Sequence, residues 1–164
     1  MLDKHGNVII YPADKLYGYA LRKLGSRAHS CHELITKMHR LQPDMSIVIS
    51  VVDKLKALNY LNDLVIVRMV FNTYFKKEGL SKIKNRLNQK GICKEDIEQG
   101  LADCLSEIED VSTTEIENAT NLLIRKFKQF NADDYAKYFR FLANKQFNST
   151  IIKKALTAFK SAFT

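Results

Sequence analysis

The sequence predicts an all-α protein built as a tandem array of three three-helix repeats, drawn out into an elongated, curved body. Three observations carry this. From Leu16 onward the apolar residues recur at helical rather than alternating spacing. The 164 residues contain only 6 glycines and 2 prolines, and both prolines (Pro12, Pro43) fall early, which leaves long stretches free for helix. Finally, one apolar pattern returns three times without a gap. With Met38, Leu87 and Leu142 superposed, Val48/Val52, Ile97/Leu101 and Ile152/Leu156 coincide downstream, and Leu34, Ile83 and Tyr138 coincide upstream. Ser30, Gly79 and Asp134, residues that cap or punctuate helices, share one position further upstream. The pattern divides the chain into a tail (1–14) and repeats 15–63, 64–110 and 111–164.

Residues 1–14 read as a tail, with Val8–Tyr11 a short extended piece ended by Pro12. Leu16, Tyr19, Ala20 and Leu24 predict a first helix closed by Gly25. Ser30 with Glu33 three residues later forms a capping box for a second helix, which continues through Leu34 and Met38 to about Leu41. Asp44 caps a third through Val48, Val52 and Leu55. The junction Asn59-Tyr60-Leu61-Asn62-Asp63 follows, with Asp63 expected to cap a helix from Leu64 to Lys77. That helix is apolar on most sides and is expected to be central in its unit. Gly79 breaks it, Ser81–Gln89 forms the next helix, and Gly91 stands at a natural stop. A helix from Lys94 to Ile108 and a polar linker, Asp110–Thr114, complete the middle repeat. Glu115–Phe130, Asp134–Asn144 and Ser149–Phe163 form the third.

The net charge is +8, which favours a polyanionic partner or a protein with an acidic face. The charge is uneven. Residues 1–63 carry 9 basic and 6 acidic side chains, 64–110 carry 8 of each, and 111–164 carry 9 and 4. Inside the neutral middle repeat, 64–92 holds 7 basic and 1 acidic residue, whereas 93–110 holds 1 and 7. Lys82, Arg86 and Lys90 lie four apart and predict a cationic ridge on one helix. At the repeat positions of that ridge stand Glu33 and Lys137, Lys37 and Phe141, and Leu41 and Lys145. Phe141 therefore takes a place where the other repeats have a cation, either as an exposed contact or as a core adjustment.

Several chemistries lack their residues. There is no Gly-rich phosphate loop. His29, Cys31 and His32 cluster, but no second ligand pair at metal spacing follows, and no oxyanion loop accompanies Cys31. Asp133-Asp134 reads as helix capping rather than as a catalytic pair. We expect no enzyme, no cofactor and no metal. Three cysteines in no framework spacing fit reduced thiols in a cytoplasmic protein, and neither a signal peptide nor a membrane span is expected.

Four local patterns stand out in order along the chain: Tyr19-Ala20-Leu21-Arg22 … Leu24 … Arg27 … Ser30 … Glu33-Leu34, then Tyr60-Leu61-Asn62-Asp63, then Lys77 through Gly91-Ile92, and last Phe141-Leu142 … Phe147 … Ile151-Ile152 … Leu156. In that order they resemble the opening helix and turn, the junction, the basic segment ending in Lys-Gly-Ile and the closing segment of the RecX family, regulators of the RecA recombinase. Leu64, Ile66 and Val67 depart from the family pattern, as do Asn59 and Gln146, which stand where the family has glycine. The resemblance implies a crescent of three three-helix repeats that binds in the groove of the RecA–DNA filament and restrains ATPase and strand exchange during DNA repair, recombination and the SOS response. A monomer without membrane attachment is expected.

The candidate contacts to recombinase or to DNA, single- or double-stranded, are Arg22, Lys23, Arg27, Lys37, Arg40, Arg68, Lys76, Lys77, Lys82, Lys84, Arg86, Lys90, Lys137, Arg140, Phe141, Lys145, Lys153 and Lys154. A generic helical DNA-binding protein and a protein–protein scaffold are the alternatives.

Overall fold

The computed structural model describes residues 10–163. Among them the chain is all-helical: α1 Ala13–Ser26, α2 Cys31–His39, α3 Met45–Ala57, α4 Asp63–Tyr74, α5 Leu80–Gln89, α6 Lys94–Ser106, α7 Val111–Phe127, α8 Tyr135–Ala143 and α9 Ser149–Ser161, with a 3-10 turn at Ala132–Asp134 before α8. The start of the expected extended piece, Val8 and Ile9, lies outside the described residues, as does most of the expected tail. None of the described helices is long and apolar enough to cross a membrane.

Local capping chemistry places most helix ends. Ser30 accepts from the Glu33 N–H at 3.1 Å while Glu33 accepts from the Ser30 N–H at 3.1 Å, a complete capping box. Asp44 caps α3 through the Ser46 N–H, and Asn148 caps α9 through the Thr150 N–H. Gly91 has φ +70°, as its stop position requires.

Four sequence expectations are corrected. Gly25 does not close α1, which continues to Ser26 and ends at Arg27 in extended conformation. Asp110–Thr114 is not a linker: α7 begins at Val111, because the Asp110 carboxylate accepts from both the N–H (3.0 Å) and the hydroxyl (2.6 Å) of Thr113. Asn62, not Asp63, caps α4, accepting from the Leu64 N–H at 3.0 Å. Asp134 makes no side-chain cap to α8; Asn131 caps the preceding turn instead.

The chain forms two compact units. The first runs up to Ile66 and includes Asn88–Asp96; the second comprises Val67–Leu87 and Ile97 onward. The first unit buries Leu16, Ala20, Leu34, Met38, Val48, Val52, Leu55 and Leu61 between α1, α2 and α3. Each buried Leu or Val contributes about 1.5–3 kcal/mol relative to exposure. Asp63, itself buried, accepts from the Cys31 N–H at 2.9 Å and so secures the start of α2. This is what the junction does: its carboxylate serves a neighbouring helix rather than its own.

In the second unit α7 lies along α9 around an aromatic cluster. Tyr138 is fully enclosed, 4.7 Å from Phe127 and 5.3 Å from Phe159 in edge-on contacts, and its hydroxyl accepts from the Asn131 N–H at 3.0 Å. Gly100 lets α6 approach Val67, whose side chain would lie 2.8 Å from an added Cβ. Helix α4 is less central than its composition predicts. Ile66, Val67, Val70 and Phe71 are buried, but Leu64, Val65 and Met69 are exposed.

Candidate functional site

The predicted contact residues lie on helices and on the turns at helix ends in both units, and the structure sorts them by whether the chain itself already uses their charge. In the first unit Arg22 and Arg40 are exposed, on α1 and at the end of α2. Lys23 lies 5.4 Å from the Tyr19 ring, and Lys37 is half-buried. Arg27 pairs with Glu33 at 3.3 Å, and Lys90 approaches the other carboxylate oxygen at 3.7 Å. Burial alone would raise the Glu33 carboxyl, but the Ser30 N–H, Arg27 and Lys90 together hold it below its ordinary value.

In the second unit Glu78, the single acid of the 64–92 stretch, is buried and organises its neighbours. Arg86 donates to it through Nε (2.6 Å) and Nη2 (2.7 Å), and Lys82 pairs with it at 3.5 Å. The Arg86 guanidinium also lies 4.0 Å from the Tyr74 ring. Hydrogen bonding from Arg86 outweighs burial and holds the Glu78 carboxyl below its ordinary value. Lys82, Arg86 and Lys90 are thus each ion-paired within the chain rather than forming a ridge of free cations, and Lys90 falls in the other unit. Reversing Lys82 and Arg86 would strand a buried carboxylate, so it would test stability before it tested binding.

The other predicted residues are more available. Arg68 bridges Glu107 at 2.8 Å in the open, and Lys76 and Lys77 are exposed beyond α4. Lys84 borders a groove of about 270 Å³ between α5 and α6 with Leu80, Glu98 and Leu101. Arg140, Lys153 and Lys154 are exposed on α8 and α9, and no ion pair involves Arg140 or Lys153 among the described residues.

Phe141 combines both sequence readings. Half-buried, it meets Phe127 edge-on at 5.5 Å, while Lys126 and Lys145 lie 4.6 and 5.2 Å from its ring. Lys137 lies 5.5 Å from the Phe127 ring and pairs with Asp134 at 3.4 Å. Burial, then the nearby Lys82, lowers the Lys145 amine from its ordinary value, and Glu78 opposes this. The sequence reading missed Lys126; its place directly before Phe127, late in a helix, was the available signal. The aromatic–lysine cluster offers cations beside π faces, the combination that suits a phosphate backbone with accessible bases.

The Cys31 region is organised differently from a thiol nucleophile. Burial, reinforced by Asp63, pushes the Cys31 thiol up to about 11, so it is protonated at neutral pH. His29 is buried, with Nδ1 3.0 Å from the Arg27 carbonyl.

No family sequence model matches the chain. It is 30% identical over 147 residues to the regulatory protein RecX of Leptothrix cholodnii, covering 88% of this chain and 89% of that one. It is 28% identical over 147 residues to the regulatory protein RecX of Chlorobium phaeobacteroides, covering 87% and 91%. The crystal structure of RecX from Lactobacillus salivarius superposes with a TM-score of 0.77 at 21% identity, covering 91% of this chain and 97% of that one.

Proposed function

The chain belongs to the RecX family of regulatory proteins, and from that premise we propose that it is a monomeric, non-catalytic regulator that binds the RecA–DNA filament in the cytoplasm and restrains recombinase ATPase and strand exchange. Such a role places it in DNA repair, recombination and the SOS response. The observation that carries the binding reading is the lysine-flanked Phe141 surface with the exposed Arg140 and Lys153, neither of which is in an ion pair among the described residues. We propose the organisation into repeats 15–63, 64–110 and 111–164 as well. In its support, Ser30 and Gly79, at one repeat position, bond to the carbonyls of Lys90 and Lys145, which also share one repeat position.

The test is co-sedimentation and ATPase measurement with RecA on single-stranded DNA. The expected result is binding to the filament and a lower ATPase rate. Equal binding to naked DNA with an unaffected recombinase would overturn the proposal in favour of a generic DNA-binding protein. Within it, Arg140→Glu/Lys153→Glu should weaken filament binding while leaving the circular dichroism spectrum unchanged. If both side chains meet phosphates, the log–log salt slope falls by roughly 2.

A further inference from the structure

Within the first unit the end of α1, the junction and the start of α4 enclose a groove of about 250 Å³. Leu24, Val65 and Ile66 give it apolar walls, Tyr60 lines it with 57% of its surface exposed, and no acid is among the described residues that line it. His29 lines it too, although only 3% of the residue is exposed. Its Nδ1 lies 3.0 Å from the Arg27 carbonyl, which can only accept, so Nδ1 carries the proton and Nε2 the lone pair. Burial outweighs that hydrogen bond and holds the imidazole below its ordinary value, so this neutral form prevails at neutral pH. Nε2 makes no hydrogen bond among the described residues, yet every side-chain nitrogen or oxygen there that is shut off from solvent has a partner. Nε2 is therefore open to the groove, as an acceptor without a donor. Two amides join it. Asn62 Oδ1 accepts from the Leu64 N–H, which leaves the Asn62 NH2 group to donate, and the Asn59 side chain makes no hydrogen bond among the described residues.

We propose that this groove receives one unstacked base of a single nucleic-acid strand, laid against Tyr60, with an N–H of the base edge donated to His29 Nε2 and the Asn59 and Asn62 amides on its other polar atoms. Every natural base carries an N–H on its pairing edge, so such a site accepts any of them and fits a strand read without sequence preference. The groove is smaller than the roughly 300–1,000 Å³ of small-molecule sites, which suits a single ring system rather than a cofactor. Arg27 supplies a cation for the adjoining phosphate. Its Nη1 donates at 2.8 Å to the carbonyl of Ala28, another lining residue, and its side chain is 51% exposed although paired with Glu33. A protein side chain with one donor at its tip would satisfy Nε2 but leave both amides and this cation unused, which favours the base.

This inference rests on the nucleic-acid part of the proposed function and not on its recombinase part. The test uses the full chain and two labelled single strands of equal length, one of thymidylate and one of abasic sugar-phosphate, which carry the same phosphates. In fluorescence anisotropy the thymidylate strand is expected to bind about tenfold more tightly. Tyr60→Ala should remove most of that difference and Tyr60→Phe should keep it. Asn59→Gly, which suits the left-handed backbone there (φ +56°), should reduce it. In nitrogen NMR spectra of histidine-labelled protein, the His29 Nε2 resonance should move on adding thymidylate and stay in place with the abasic strand. The proposal is overturned if both strands bind alike, if neither binds, or if folded Tyr60→Ala keeps the full difference. It is also overturned if His29 Nε2 responds to RecA without DNA and not to thymidylate, the result of a protein side chain in the groove. Base-dependent binding with an unaffected RecA ATPase would leave this inference standing and remove the proposed function, and equal binding of both strands with a lowered ATPase would do the reverse.

Discussion

The turns at Lys90 and Lys145 are seats for the helix starts at Ser30 and Gly79, and they reach one geometry by different chemistry. In the first unit a side chain makes the contact: the Ser30 hydroxyl donates to the Lys90 carbonyl, and Glu33 takes the charge of Lys90 and Arg27. In the second unit the backbone makes it, because Gly79 lets its own N–H reach the Lys145 carbonyl, and Asn85 adds a bond to Gln146 at 2.9 Å. Lys82 stands where Glu33 stands in the first repeat, so two lysines would face each other. The compensating acid is Glu78, just ahead of Gly79 rather than within the helix. The lesson is that a repeat can keep a backbone contact while its charges migrate, provided each buried charge retains a partner.

The largest expected effect lies where backbone meets backbone. A Cβ on Gly79 would overlap the Gln146 carbonyl and come within 2.6 Å of the Phe147 Cα, neither of which can rotate away. Gly79→Ala should therefore cost about 3 kcal/mol in chemical denaturation. Ser30→Ala removes a cap and one acceptor's partner but adds no clash, and should cost about 2 kcal/mol. Equal losses for these two variants would break the distinction between a backbone seat and a side-chain seat.

Charge comes next. Glu78→Gln retains the shape but weakens the bidentate Arg86 contact, and should cost about 1.5–2 kcal/mol at neutral pH. The folded carboxyls of Glu78 and Glu33 both sit below the ordinary 4.5, so each contributes stability that is present above that value and lost as pH falls through the lower, folded value. Acid titration of stability should flatten more for Glu78→Gln than for Glu33→Gln, because Glu78 is the more enclosed carboxylate. The smallest effect is expected for Arg68→Ala, whose bridge to Glu107 is solvent-exposed; its midpoint should match the parent within error.

Much of the fold was legible because its signals are local. The capping box at Ser30 and Glu33, the Asp44 cap and the left-handed Gly91 each act within a few residues, and the apolar period marked Leu34, Met38, Ile83, Leu87, Tyr138 and Leu142, all of which are buried. The seat was half legible. The repeat put Ser30 with Gly79 and Lys90 with Lys145, but periodicity gives no sign that the first pair bonds to the second.

The sequence alone thus determined where most helices start and stop, which face of most of them is apolar, and how much positive charge each segment carries. Tertiary structure decided which partner each polar group takes. Asp63 secures α2 instead of capping α4, Glu78 claims Lys82 and Arg86, and α4 leaves Leu64, Val65 and Met69 uncovered. The physical reason is range. Helix propensity and capping act over about four residues, whereas a carboxylate that several donors could satisfy is assigned only when packing brings one of them within hydrogen-bond reach.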